Sequence, residues 1–116
     1  VITWIIGNSD SGKSTIARLI FNKYNEKNGN TIWLDGDKVR EIWTDLGLSK
    51  EDRIEQNLRV ARLAKMLSEQ GNEVIISTIC PYKDLRKKVK DITNCRFIYV
   101  EGGKQGIDYP FEHPKL

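Results

Sequence analysis

The tightest constraint on this chain is residues 7–15, Gly-Asn-Ser-Asp-Ser-Gly-Lys-Ser-Thr. They satisfy G-x-x-x-x-G-K-[ST] at every fixed position, between the flanks that pattern requires. Before the loop, Val-Ile-Thr-Trp-Ile-Ile is an apolar, β-branched run that reads as a buried strand. After it, Ile16, Ala17, Leu19, Ile20 and Tyr24 follow helical spacing, with a stop at Asn28-Gly29. A strand–loop–helix of this kind turns successive backbone N–H groups toward one anion, and the helix N-terminus adds positive partial charge. The expected ligand is therefore ATP, held by Gly7, Asn8, Ser9, Asp10, Ser11, Gly12, Lys13, Ser14 and Thr15. Lys13 is expected to reach the β- and γ-phosphates, and Ser14 to ligate magnesium. Asp10 is the anomaly, because a carboxylate in such a loop repels the nucleotide unless it faces solvent.

The rest of the chain repeats the alternation. Strands are expected at Thr31–Leu34, Glu73–Ser77 and Arg96–Val100. A short helix follows the second strand through Val39, Ile42 and Trp43. A long one starts after Ser49, with Glu51 and Asp52 in its first turn, and runs to Gly71. Its Leu58, Ala61 and Leu67 read as core. Pro81 is expected to open the last helix, whose residues Asp84–Lys90 mix charges on a solvated face. Residues 101–116 show little periodicity and read as an extended tail over the surface. The fold class is α/β, a three-layer arrangement around a parallel sheet, in a single domain spanning 1–116.

Composition narrows the function classes. A chain of 116 residues can bury a core without disulfides or a structural metal. A net charge of +3 suits anionic ligands but is too small to argue for nucleic acid. No apolar run reaches the roughly 18 residues of a membrane span. Cys80 and Cys95 match no zinc or redox spacing, and His113 is the sole histidine. Free thiols point to a reducing, cytoplasmic setting.

A second cluster, Asp35-Gly36-Asp37-Lys38-Val39-Arg40, follows the second strand. In a parallel sheet the carboxyl ends of the strands face the ligand crevice. One aspartate there can hold magnesium or orient an attacking hydroxyl, and an arginine can bind an anionic substrate. A plain turn with a capping Asp is the competing reading. Arg53 is open between an anion contact and a surface charge, whereas Arg59 and Lys65 read as surface charges. Trp4 and Trp33 read as packing, and Trp43 as either core or pocket wall.

Four segments in order resemble the adenylyl-sulfate kinase family: GNSDSGKST (7–15), LDGDKVR (34–40), LGLSKEDRIEQNLRVARLAKML (46–67) and VIISTICPYKDLR (74–86). A fifth, GIDYPFEHP (106–114), resembles that family's tail. The resemblance implies transfer of the γ-phosphoryl group of ATP to a nucleotide ribose 3′-hydroxyl, with Mg2+. It implies Asp37 as the carboxylate nearest that hydroxyl, supported by Asp35, with Lys13 on the transferred phosphoryl. Asp35 is also assigned to the metal with Ser14. Arg40 and Arg53 would hold the acceptor's anionic bridge, and Ile79 with Gly106, Ile107 and Asp108 would line its pocket.

Departures from the family pattern fall on the acceptor side. Leu48 stands where the family carries one of two phenylalanines that clamp adenine, and Gln105 stands at the other. Gln56 replaces an asparagine and Cys80 a serine. Loss of two aromatic faces removes stacking of about 1–3 kcal/mol each. A cytidine diphosphoramidate kinase, a related branch with the same chemistry on a smaller base, is therefore an alternative acceptor reading. The family's basic lid also has no counterpart between Val100 and Gly106, so a missing segment is expected around Lys104–Gln105. A kinase of another small metabolite and a nucleotide-binding domain without turnover are the remaining alternatives. The expected partner is the acceptor nucleotide, with neither nucleic acid nor membrane, and a homodimer is left open.

Overall fold

A computed structural model describes residues 1–114. Four strands alternate with helices: β1 (Ile2–Ile6), α1 (Lys13–Asn28), β2 (Thr31–Asp35), α2 (Gly36–Ile42), α3 (Lys50–Glu69), β3 (Glu73–Thr78), α4 (Lys83–Thr93) and β4 (Arg96–Tyr99). All strand pairs are parallel, in the order β2-β3-β1-β4. The two central strands, β1 and β3, are buried nearly throughout. That is why both read in the sequence as continuous apolar runs without alternation.

Helices cover both faces. On one, Trp4, Ile6, Val74 and Ile76 pack with Val60, Ala61 and Ala64 of α3 and Leu85 and Val89 of α4. On the other, Ile5 and Ile75 pack with Ala17 of α1. Leu58 and Leu67 border the first cluster, as does Trp43. The sheet thus aligns the carboxyl ends of β1, β2 and β3 at one edge of the molecule.

Local chemistry sets the boundaries. Ser49 caps α3 by accepting from Asp52 N at 3.1 Å. Asp35 ends β2 and caps α2, accepting from Asp37 N at 3.0 Å. The last helix starts at Lys83, two residues later than expected from Pro81. The reason lies in the backbone carbonyls: those of Cys80 and Pro81 both accept from the Arg86 guanidinium. The Pro81 carbonyl also accepts from Glu112 N, so the chain stays out of the helix until Lys83, with Tyr82 extended and Cys80 at φ 45°. The tail is held in the same place. Phe111 stacks on Tyr99 at 5.6 Å and lies under the Arg86 guanidinium.

Candidate active site

A cavity of about 420 Å³ opens at the aligned strand ends. Its floor is the phosphate loop, and its walls come from α2, α3 and the end of β3. Ser9, Asp10, Gly12, Lys13, Ser14 and Thr15 line it from the loop. Gly7, Asn8 and Ser11 lie in the same loop outside that lining. Gly7 is required by crowding, because a Cβ there would meet the Val100 carbonyl at 2.5 Å. Gly12 adopts φ 98° just before α1, a conformation that favours glycine, and leaves the helix N-terminus without a side-chain cap. Uncapped N–H groups at that end are what a phosphate would use. The Ser11 hydroxyl is buried without a partner among the described residues, a further donor inside the loop.

Lys13 donates to the Asn8 carbonyl at 2.8 Å, which folds its side chain back over the loop. Burial pulls its pKa below the ordinary lysine value, while Asp37, Asp35 and Asp10 partly restore it. Those three carboxylates therefore act on the ammonium from around one cavity. Asp10 is exposed, as its chemistry demands, yet it still lines the rim. The Lys104 ammonium lies 3.5 Å from it and offsets its charge.

The second cluster faces the loop. Asp35, Gly36, Asp37 and Arg40 all line the cavity. Asp35 is both a helix cap and a cavity residue, so the two readings of that cluster coexist. Its cap uses one carboxylate oxygen, Oδ1. Ser14 and Asp35 together suit a magnesium ion, which takes one or two protein oxygens and fills its shell with phosphate and water. No group of three or more metal-ligating His, Cys, Asp or Glu exists among the described residues.

From α3, Arg53 and Gln56 reach the cavity, and Leu48 stands on its rim, 61% exposed. Just after β3, Ile79 and Cys80 complete the wall. Burial pushes the Cys80 thiol up to about 12, so it is an inert wall element rather than a nucleophile. Arg59 stays outside the cavity: it binds both oxygens of Asp45, at 3.0 and 2.8 Å, and also Glu55.

Three expected residues are not brought to the cavity. Gly106, Ile107 and Asp108 lie outside it, and Ile107 is 98% exposed. After β4 the chain turns at Gly102 and Gly103 and drops onto the phosphate loop. There Lys104 N donates to the Ser9 carbonyl at 2.7 Å. The Asn8 amide donates to the carbonyls of Lys104 and Tyr109. Residues 104–109 consequently hang on the outer side of that loop. Lys104 and Gln105 are consecutive in the sequence.

Sequence reasoning missed a buried relay behind the wall. Trp4 Nε1 donates to Thr78 Oγ1 at 2.9 Å, and Thr78 donates to Asn57 Oδ1 at 2.8 Å. Thr78 and Asn57 both line the cavity, as does Ser77, which accepts from Trp33 Nε1 at 2.9 Å. Polar residues on an otherwise apolar helix face and at a strand's carboxyl end were the available signals.

The adenylylsulphate kinase family model matches residues 1–105. Cytidine diphosphoramidate kinase of Campylobacter jejuni is 38% identical over 104 residues, covering 86% of this chain and 59% of that protein. A probable adenylyl-sulfate kinase of Bacillus subtilis is 40% identical over 92 residues, covering 78% and 47%. The structure of the Mycobacterium tuberculosis APS kinase CysC in complex with AMPPNP and APS superposes with a TM-score of 0.73 at 35% identity. That superposition covers 84% of this chain and 59% of the other. The chain spans about half the length of such relatives. With the family model matched from β1 through the turn after β4, and the phosphate loop facing the Asp35–Arg40 cluster across one cavity, the chain belongs to the adenylylsulphate kinase family.

Proposed function

We propose that this domain transfers the γ-phosphoryl group of ATP to the ribose 3′-hydroxyl of a nucleotide acceptor. The observation that carries the reading is the shared cavity. Lys13 and Ser14 enter it from the phosphate loop, and Asp35, Asp37 and Arg40 from the opposite wall. ATP fits the loop because its uncapped helix end and Lys13 both favour phosphate oxygens. Ser14 and Asp35 would hold Mg2+, which supplies charge neutralisation on the transferred group. Asp37 orients the acceptor hydroxyl and takes its proton, while Arg40 and Arg53 fix the acceptor's anionic bridge. A ribose hydroxyl is a weak nucleophile, so positioning and charge stabilisation carry most of the rate. Two buried free thiols suit a reducing cytoplasm, where we place this chemistry.

One observation favours a second acceptor. Leu48, exposed on the rim, offers no aromatic face for a purine. A screen for phosphate transfer by mass spectrometry, presenting adenylyl sulfate, cytidine diphosphoramidate and small-metabolite alcohols, separates the readings. Turnover of a nucleotide supports the kinase. Preference for adenylyl sulfate rejects the cytidine branch. ATP binding without transfer to any acceptor rejects catalysis by this domain.

A further inference from the structure

Gln56 was expected to touch the acceptor. Its surroundings assign it a different task. The side chain is 3% exposed and joins two parts of α2. Its amide nitrogen donates to the Gly36 carbonyl at 3.0 Å. Its carbonyl oxygen accepts from Arg40 Nε at 3.1 Å. One end is thus anchored to the first residue of α2, and the other steers a guanidinium on the following turn.

The anchor is rigid. A Cβ at Gly36 would lie 3.1 Å from Thr78 Cγ2 and 3.2 Å from the Ser77 carbonyl, so α2 starts hard against the end of β3. The steered group is flexible by nature, since an arginine side chain has extensive rotamer freedom. With Nε taken by Gln56, Nη1 and Nη2 of Arg40 have no hydrogen-bond partner among the described residues. Arg40 lines the cavity and has no carboxylate partner within ion-pair distance among the described residues. Such a guanidinium edge is the geometry that grips an oxyanion through two parallel hydrogen bonds.

We infer that Gln56 is a positioning residue. It holds Arg40 Nε so that the two terminal nitrogens face the anionic bridge of the acceptor. The inference rests on the proposed function for its substrate, but not for its geometry. Because Gln56 acts on the acceptor through Arg40, its removal has no further effect on acceptor binding once Arg40 is gone.

A double-mutant cycle on the acceptor KM tests this. Gln56→Leu, with Gln56→Met as a second replacement should Leu fold poorly, raises acceptor KM about tenfold with ATP KM unchanged, the scale of one lost charge-assisted contact. In an Arg40→Ala background the same substitution changes acceptor KM by less than about twofold, because the two residues form one unit. Multiplicative effects in the double mutant would overturn the inference and return Gln56 to direct acceptor contact. A second arm needs no acceptor: the Arg40 Nε–H NMR resonance exchanges slowly with water in the native protein and rapidly in the Gln56 variants. If no nucleotide is phosphorylated, the functional reading falls and this resonance decides the inference alone. Rapid exchange in the native protein rejects it.

Discussion

The two sides of the cavity are built differently. The ATP side is mostly backbone: a loop between β1 and α1 whose glycines are forced by crowding at Gly7 and by positive φ at Gly12. The acceptor side is mostly side chain: Asp37, Arg40, Arg53, Gln56, Leu48 and the end of β3. Backbone recognition depends on few residue types, so it is written as a fixed pattern and says only that phosphate is bound. Side-chain recognition is carried by residues far apart in sequence and changes with each substitution. On the proposed reading, the first side holds the donor's phosphates and the second selects the acceptor.

The largest effect expected is loss of turnover on either side. Lys13→Ala and Asp37→Ala should each lower kcat about 10³-fold or more, the scale of removing charge stabilisation or a general base. Both variants should melt near the native temperature. The comparison sharpens in the remaining binding: Asp37→Ala should keep its affinity for a non-hydrolysable ATP analogue in calorimetry, whereas Lys13→Ala should lose it. Native-like turnover by Asp37→Ala would remove that residue from the mechanism.

Next comes the relay behind the acceptor wall. Thr78→Val strips Trp4 Nε1 and Asn57 Oδ1 of their partner in a buried site. The expected cost is about 1–3 kcal/mol of stability, read as a lower denaturation midpoint. An unchanged midpoint would mean that the relay contributes nothing to holding the wall.

A smaller effect tests how the tail joins the ATP side. A Cβ at Gly103 would run into the Ser9 carbonyl, and its φ of 82° disfavours any side chain. Gly103→Ala should cost about 1–3 kcal/mol locally. It should raise ATP KM several-fold and leave acceptor KM alone, because Gly103 packs on the phosphate loop and residues 106–108 do not line the cavity. An effect on the acceptor alone would contradict that placement.

The smallest effect is alkaline. Cys80 is held protonated by burial, with its pKa raised from 9.0 to about 12. The folded state thus retains a proton that the unfolded chain releases, so this stabilisation is intact below about pH 9 and fades toward pH 12. Cys80→Ala should flatten the loss of stability measured across that range. A slope identical to the native protein's would show that Cys80 is not the group responsible.

Much of this organisation was legible in the sequence. The β1–loop–α1 unit was, because its pattern and its fold express one requirement, an anion surrounded by N–H groups. The central strands β1 and β3 were, because buried parallel strands leave unbroken apolar runs, and the half-exposed edge strands β2 and β4 still show as short β-branched and aromatic runs. The position of Asp35 and Asp37 followed from the end of β2. Less legible were the points where distant backbone decides. The start of α4 depends on Arg86 and Glu112 competing for carbonyls at residues 80 and 81. The tail's path depends on Asn8 capturing carbonyls 96 and 101 residues away. Gly106, Ile107 and Asp108, expected at the acceptor, lie outside the cavity lining along that path. Gln56 lines the cavity, but its engagement with Gly36 and Arg40 becomes apparent only once α2 and α3 lie side by side.

The central claim is that donor and acceptor sides meet across one cavity, with a ribose hydroxyl as the nucleophile. The direct measurement is the position of the transferred group. The protein is incubated with γ-labelled ATP and each nucleotide acceptor, and the phosphorylated product is resolved by NMR. The account predicts the label on the ribose 3′-oxygen, with none in the Asp37→Ala reaction. Label on another position, or ATP bound at the loop with no labelled nucleotide formed, would contradict it.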